Sequence, residues 1–323
     1  MAKLEFAILG AGAIGSIIGA HLARSGHTVT MLARGRRAQE IGQQGLRIKG
    51  LVEFTQQVPV LTDVSGFEGA DVLIVATKTY GTEAALAPLK EARIGTALSI
   101  QNGLMKNGLL AAVWGTEHVL GALANTSGEQ LPTGETLFTR NEQLCVGELA
   151  GGVSARAQRI AAAINDSGVR AVAVADIESL EWSKFASWAA LMVLSVTTRS
   201  VTWKYLIDRD AASVLARIVR EVAALALAHG ITVSDQSPLP VASIVRSSEA
   251  EAVAIIQALG HRMKASAPGH RMSTLQDLET GRALEIEETL GHAARMAMQA
   301  NVPSPLLDCF YALTAGIDRI RRW

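Results

Sequence analysis

Cysteine is nearly absent: Cys145 and Cys309 are the only two in 323 residues, far apart and in no CxxC pair. That usage excludes a disulfide-built scaffold and predicts a reducing, cytoplasmic setting. Aromatic residues make up 4%, too few for a stacking platform on single-stranded nucleic acid. No excess of either charge exists, since 30 Lys and Arg balance 30 Asp and Glu. A chain that binds nucleic acid or an anionic membrane would carry a basic surplus, so neither partner is expected. The seven histidines form no HxxxH or HExxH pair, which leaves no built-in metal site. A long apolar run is missing too. Phe6 to Ala23 lacks charged side chains but holds glycines at 10, 12, 15 and 19 and is closed by Arg24, which argues against a span or a signal segment.

What is present is enough apolar material, 49%, for two folded domains in a chain of this length. The first half alternates strands with helices. Leu4 to Leu9 reads as a strand ending at Gly10-Ala11-Gly12-Ala13-Ile14-Gly15, Ser16 to Ser25 as a helix, and Thr28 to Leu32 as a second strand. Further strands are expected at Val72–Ala76 and Thr96–Ile100, then shorter pieces at Val119–Leu123, Thr136–Phe138, Gln143–Val146 and Val169–Val174, with a helix over Ser154–Ile164. This order predicts an α/β, Rossmann-type doubly wound sheet, mostly parallel and covered by helices on both faces. Beyond Asp176 the pattern is helical nearly to the end, and the uncharged run Phe185–Thr198 reads as a buried helix. The expected division is residues 1–175 as a dinucleotide-binding domain and 176–323 as an all-helical substrate and catalytic domain. A cleft between two such domains is the usual place for a substrate.

The glycine pattern carries chemistry. Gly10 permits a tight turn, Gly12 lets a pyrophosphate approach the backbone, and Gly15 allows helix against strand. The free N–H groups of Ala13 and Ile14 open the helix toward the phosphates. The second strand ends Leu32-Ala33-Arg34-Gly35-Arg36-Arg37, with no acid before Glu40. A carboxylate there would bind a ribose 2′-OH; a guanidinium instead grips a 2′-phosphate. NADP(H) is therefore expected, with Arg34 the main contact and Arg36 or Arg37 assisting. Two later loops, Thr77-Lys78-Thr79-Tyr80 and Gln101-Asn102-Gly103, follow strand ends where nicotinamide and substrate would sit. Lys184 lies where the late helix turns from charged to apolar, a place for a snorkelling surface amine or for a catalytic one.

Taken with Gly147-Glu148, Trp182-Ser183-Lys184, Ser273-Thr274-Leu275-Gln276-Asp277, Gly281-Arg282 and Glu285-Ile286-Glu287, these motifs resemble the ketopantoate reductases (2-dehydropantoate 2-reductases) over nearly the whole chain. The resemblance implies hydride delivery from NADPH to a small-molecule 2-oxo acid, the reductive step known from pantothenate biosynthesis, with a homodimer among the assemblies it allows. In that reading Lys184 is the general acid, and Glu285 orients both the lysine and the substrate's distal hydroxyl. Ser273 binds the carboxylate, Asn102 positions nicotinamide or substrate, and Lys78 is a cofactor contact. One departure stands out. The family usually carries asparagines four and eight residues after the lysine, and here those positions are Trp188 and Met192. The substrate-binding surface is expected to be bulkier and more apolar, so a different and more hydrophobic keto substrate is an alternative to ketopantoate. A regulatory NADP-binding protein without turnover is another. A 3-hydroxy-acid dehydrogenase is opposed by the lack of its usual motif around Lys184, and a purely structural oligomer leaves the glycines and Arg34 unexplained.

Overall fold

In the computed structural model, residues 3–322 are described; Trp323, the end of the Arg319–Trp323 tail, lies outside them. The chain divides into two compact units. One contains the chain up to Asn102 and Lys106–Ile177, the other Gly103–Met105 and everything from Glu178 on.

The first unit begins β1 (Glu5–Leu9), α1 (Ala13–Arg24), β2 (Thr28–Leu32), α2 (Gly35–Gln44), β3 (Leu46–Gly50), β4 (Phe54–Gln56), β5 (Val60–Leu61) and β6 (Gly69–Val75). It continues α3 (Thr82–Leu86), β7 (Arg93–Ser99), α4 (Lys106–Trp114), β8 (Val119–Gln130), β9 (Thr136–Glu148), α5 (Ala155–Asp166) and β10 (Ala171–Ala173). Among the described residues these strands form one sheet in the order β4-β3-β9-β8-β7-β6-β1-β2-β5, with β10 beside β9. All pairings are parallel except β3–β4 and β8–β9. The expected α/β sheet is present, and both of its faces are buried. In β1, Phe6 and Ile8 face one apolar cluster with α1 and α5, while Ala7 and Leu9 face a second with α3 and α4. Alternate residues point to opposite faces, so a strand covered on both sides reads as a continuous apolar run.

Register decides where a site can form. Leu32, Leu9, Val75 and Ser99 lie in one row across four adjacent strands. The chain leaves β1 for β2 on one side and returns to β6 on the other, so this row marks the point where the strand order reverses. Ligands of open α/β sheets bind beyond such strand ends.

Two differences from the sequence reading have physical causes. The short pieces expected between 119 and 146 are two long antiparallel strands, β8 and β9, interrupted by register shifts near Ala124/Thr126 and Ser127/Gly128. Bulges break the period-2 pattern and make one strand look like several. Strands β3, β4 and β5, the last two at the sheet edges, were unread because they are short. At the far end of β9, Glu148 accepts from Arg156 Nε (2.7 Å) and NH2 (2.6 Å) and from Ser154 Oγ (2.5 Å), tying the strand to α5. Arg156 beside Glu148 holds the carboxyl below its usual range. A depressed acid stabilises the fold fully above its ordinary pKa and ceases to do so as pH falls through the lowered one. Glu148→Gln should cost about 1–2 kcal/mol and lower the thermal midpoint by roughly 2–6 °C at neutral pH. Thermal melts from pH 7 down to about pH 3 should show that gap closing as Glu148 protonates; a gap independent of pH contradicts the assignment.

The second unit is helical: α6 (Ile177–Thr198), α7 (Thr202–Ile207), α8 (Arg209–Ala228), α9 (Val241–Arg246), α10 (Glu249–Ser266), α11 (Ser273–Glu279), a π-helical turn at Glu287–Gly291, α12 (His292–Gln299) and α13 (Pro305–Ile320). The expected buried helix is α6, which follows Asp176 directly and supplies much of this unit's core. One of its edges is a serine ladder. Ser179 Oγ donates to Thr232 O (2.5 Å), Ser183 Oγ accepts from Ser234 N (2.7 Å), and Ser187 Oγ bonds Ser237 Oγ (2.8 Å). Spacing of four residues puts all three on one face, where they bind the 232–239 segment along the helix. Glu221 of α8 accepts the Leu306 and Leu307 amides at 3.1 and 2.8 Å, satisfying the start of α13, whose first residue is Pro305.

Candidate active site

Beyond Leu9 and Leu32 lies a cavity of about 300 Å³ lined by Gly10, Gly12, Ala33, Arg34, Thr62 and Thr77 among others. Among the described residues no Asp or Glu lines it. The three glycines divide their work. Gly10 has φ +108°, and a Cβ there would stand 2.7 Å from Thr77 N; one on Gly15 would stand 2.2 Å from Gly10 O. Those two are required by the protein's own packing. A Cβ on Gly12 would meet only Ala76 O at 3.9 Å, so nothing in the chain forbids one. Gly12 keeps open the cavity side of the loop, the space a pyrophosphate needs. Helix α1 starts here without a side-chain cap and without an acid in its first turn, leaving the amides of Ala13 and Ile14 and the positive end of the dipole for an anion. The residues present fit a dinucleotide.

Arg34 is exposed on the cavity wall and has no carboxylate partner among the described residues. The arginines expected to assist it are placed otherwise. Arg36 pairs with Glu40 at 2.9 Å and does not line the cavity. Arg37 lines it but donates to Ala11 O (3.2 Å), Gly134 O (2.7 Å), Ser16 Oγ (3.1 Å) and Thr136 Oγ1 (3.3 Å). Its guanidinium holds the glycine loop to the β8–β9 hairpin. Arg36 thus stands off the cavity, and long-range carbonyls take up the donors of Arg37.

Lys78 and Asn102 stand on the next two strand ends, both half-buried and neither lining the cavity. Gln101 couples their loops. Its Nε2 donates to Thr77 O (3.0 Å), Thr77 Oγ1 (3.1 Å) and Thr82 Oγ1 (2.7 Å), while Oε1 accepts from Ser99 Oγ (2.9 Å). Sequence reasoning quoted Gln101 only as part of a motif. Lys106 was missed altogether: it is 5% exposed and its Nζ donates to Ser99 O (3.1 Å) and Ala122 O. Its signal was a lysine opening an otherwise apolar helix.

In the helical unit, Lys184 is half-buried on α6, and Trp188 follows one turn later on the same face. Trp188 is 7% exposed, its ring stacked on Phe185 at 6.2 Å, and its indole N–H has no hydrogen-bond partner among the described residues. Met192 is wholly buried in this unit's core. Ser273 is exposed at the first turn of α11, and Glu285 is buried two residues before the π-helical turn. Turns of that kind recur at functional sites. Burial, together with the charges of Glu287 and Glu285, pushes the Glu288 carboxyl above its ordinary range, and burial lowers His292.

A glycine loop at the reversal of a doubly wound sheet, with a cavity beyond the strand ends, in a chain that also carries a helical unit, defines a class: nicotinamide-dependent oxidoreductases. Residues 6–151 match the family described as "Ketopantoate reductase PanE/ApbA", and residues 176–318 match "Ketopantoate reductase PanE/ApbA C terminal". The chain belongs to the ketopantoate reductase family. It is 33% identical over 192 residues to the 2-dehydropantoate 2-reductase of Archaeoglobus fulgidus, across 59% of this chain and 63% of that protein. It is 26% identical to that of Pyrococcus horikoshii across 98% of both chains. The ternary structure of D-mandelate dehydrogenase with NADH and anilino(oxo)acetate shares the fold, with a TM-score of 0.84 and 20% identity over 98% of this chain and 99% of that one. Among the described residues no helix is long and apolar enough to cross a membrane, and no cluster of His, Cys, Asp or Glu could hold a metal ion.

Proposed function

We propose that this protein reduces a 2-oxo acid to the 2-hydroxy acid with NADPH, and that its substrate carries a more apolar side chain than ketopantoate. The observation that carries the coenzyme assignment is the carboxylate-free cavity with Arg34 in its wall. A 2′-phosphate needs a cation and tolerates no acid at that place. The coenzyme, when bound, supplies the hydride; the chain's residues position it and manage the proton. Lys184 protonates the carbonyl oxygen as negative charge develops there, Glu285 orients the lysine and the substrate, Ser273 binds the carboxylate, and Lys78 and Asn102 hold the nicotinamide side.

The substrate assignment rests on α6. An asparagine offers an acceptor to the ammonium and a polar surface to a hydroxylated substrate, whereas Trp188 puts an apolar ring at the first position, and Met192, wholly buried, adds only apolar bulk to the core. Across a panel of aliphatic and aryl 2-oxo acids, kcat/KM for ketopantoate should fall at least about tenfold below the best substrate. Ketopantoate as clear best substrate contradicts this. NADPH binding with no turnover of any 2-oxo acid instead favours a regulatory protein.

A further inference from the structure

Glu285 follows a loop that the C-terminal end of the last helix grips. Helix α11 closes in a Schellman turn: Gly281 has φ +74°, Arg282 N donates to Asp277 O (2.9 Å) and Gly281 N to Leu278 O (3.3 Å). Asp318 reaches this loop from α13. It is 6% exposed, and its Oδ1 accepts the backbone N–H of Leu284, the residue before Glu285, at 3.1 Å. The same oxygen accepts from Arg321 Nε (3.2 Å) and NH2 (2.7 Å), while Oδ2 accepts from Arg322 NH2 (2.7 Å). Arg321 then donates NH1 to Leu278 O (3.2 Å) and NH2 to Arg282 O. One buried carboxylate and one guanidinium thus hold backbone groups at 278, 282 and 284, spanning the loop that joins Ser273's helix to Glu285.

We infer that Asp318 and Arg321 are positioning residues for the proposed substrate-handling pair, Ser273 and Glu285. The inference rests on the function proposed above for those two. The loop makes few apolar contacts of its own: Gly281 and Arg282 are exposed, and only Leu284 enters the core. Without the clasp, its backbone would have to satisfy these groups with water. Leu284 N and Glu285 belong to consecutive residues, so freedom at one moves the other. A buried aspartate is costly unless well paired, and here it accepts four hydrogen bonds. The two arginines place two positive charges against it, so the ion pairing is structural and the geometry it sets is the consequence.

The test uses the full chain with NADPH and its best 2-oxo acid. Arg321→Met keeps the stem and removes the clasp; Asp318→Asn keeps shape and one acceptor but removes the charge. Both should raise KM for the 2-oxo acid about tenfold while KM for NADPH stays within twofold, since misplacement of an orienting group weakens substrate handling and leaves the coenzyme's own contacts intact. Arg321→Lys, which can reach part of the acceptor set, should give an intermediate KM. A purely structural role would lower the active fraction and leave both KM values unmoved, which overturns the inference. Should Asp318→Asn not fold, Arg321→Met and Arg321→Lys decide alone. Glu285→Gln runs alongside. An unchanged substrate KM in Glu285→Gln overturns the role of Glu285 itself and the inference with it, while a raised KM there with wild-type values in the clasp variants overturns only the clasp.

Discussion

Replacing Lys184 with alanine should lower kcat for 2-oxo acid reduction by about 10²–10⁴-fold while NADPH still binds with nearly its original affinity. The magnitude follows from what the amine is proposed to do. Hydride arriving at the keto carbon leaves negative charge on oxygen, and a positioned acid that protonates it contributes about two to four powers of ten. Lys184 is set half-buried on α6, one turn before buried Trp188 on the same face, in a helix that supplies much of its unit's core. The serine ladder through Ser179, Ser183 and Ser187 fixes the helix on the adjoining face. Coenzyme affinity belongs to the other unit's cavity, so it should be spared. Stopped-flow single-turnover measurement separates the two: slow hydride transfer with an unchanged Kd for NADPH is expected, and wild-type turnover in Lys184→Ala refutes the acid assignment.

Arg34→Ala should raise KM for NADPH roughly ten- to hundredfold and leave KM for NADH within about twofold. A charge-assisted, bidentate pair with a phosphate is worth about 1.5–3 kcal/mol, and only NADPH carries that phosphate. Two structural facts sharpen the expectation. Among the described residues no carboxylate lines the cavity to bind a ribose 2′-OH in compensation, and Arg36 and Arg37 both have partners of their own. Arg37→Ala should behave differently, weakening both coenzymes together because it frees the Ala11 carbonyl and the glycine loop. An Arg34→Ala enzyme whose NADPH-to-NADH preference is unchanged contradicts the NADPH assignment.

How much of this was legible in the sequence depends on the range of the contacts involved. The β1–α1–β2 unit was readable because its determinants are local: an apolar run, glycines at 10, 12 and 15, and a second apolar run on schedule. Helix α6 was readable because fourteen uncharged residues have nowhere to go but a core. The β3 strand, Leu46-Arg47-Ile48-Lys49-Gly50, carries period-2 alternation with Leu46 and Ile48 buried, yet five residues beside a helix are too few to stand out. The structural contacts of Arg37 were illegible because its partners, Gly134 and Thr136, lie about a hundred residues away, and no local pattern announces them. The link that Gln101 makes to Thr77 and Thr82 has the same character. The π-helical turn after Glu285 was not announced by any local pattern in the sequence.

The central claim is that this chain moves a hydride from NADPH to the keto carbon of a 2-oxo acid. It is tested most directly by supplying NADPH deuterated at both C4 positions with the best 2-oxo acid and examining the product by mass spectrometry. The account predicts one deuterium at C2 of a 2-hydroxy acid, formed in step with NADP⁺. Coenzyme oxidation without label in that product, or no oxidation with any 2-oxo acid, contradicts it.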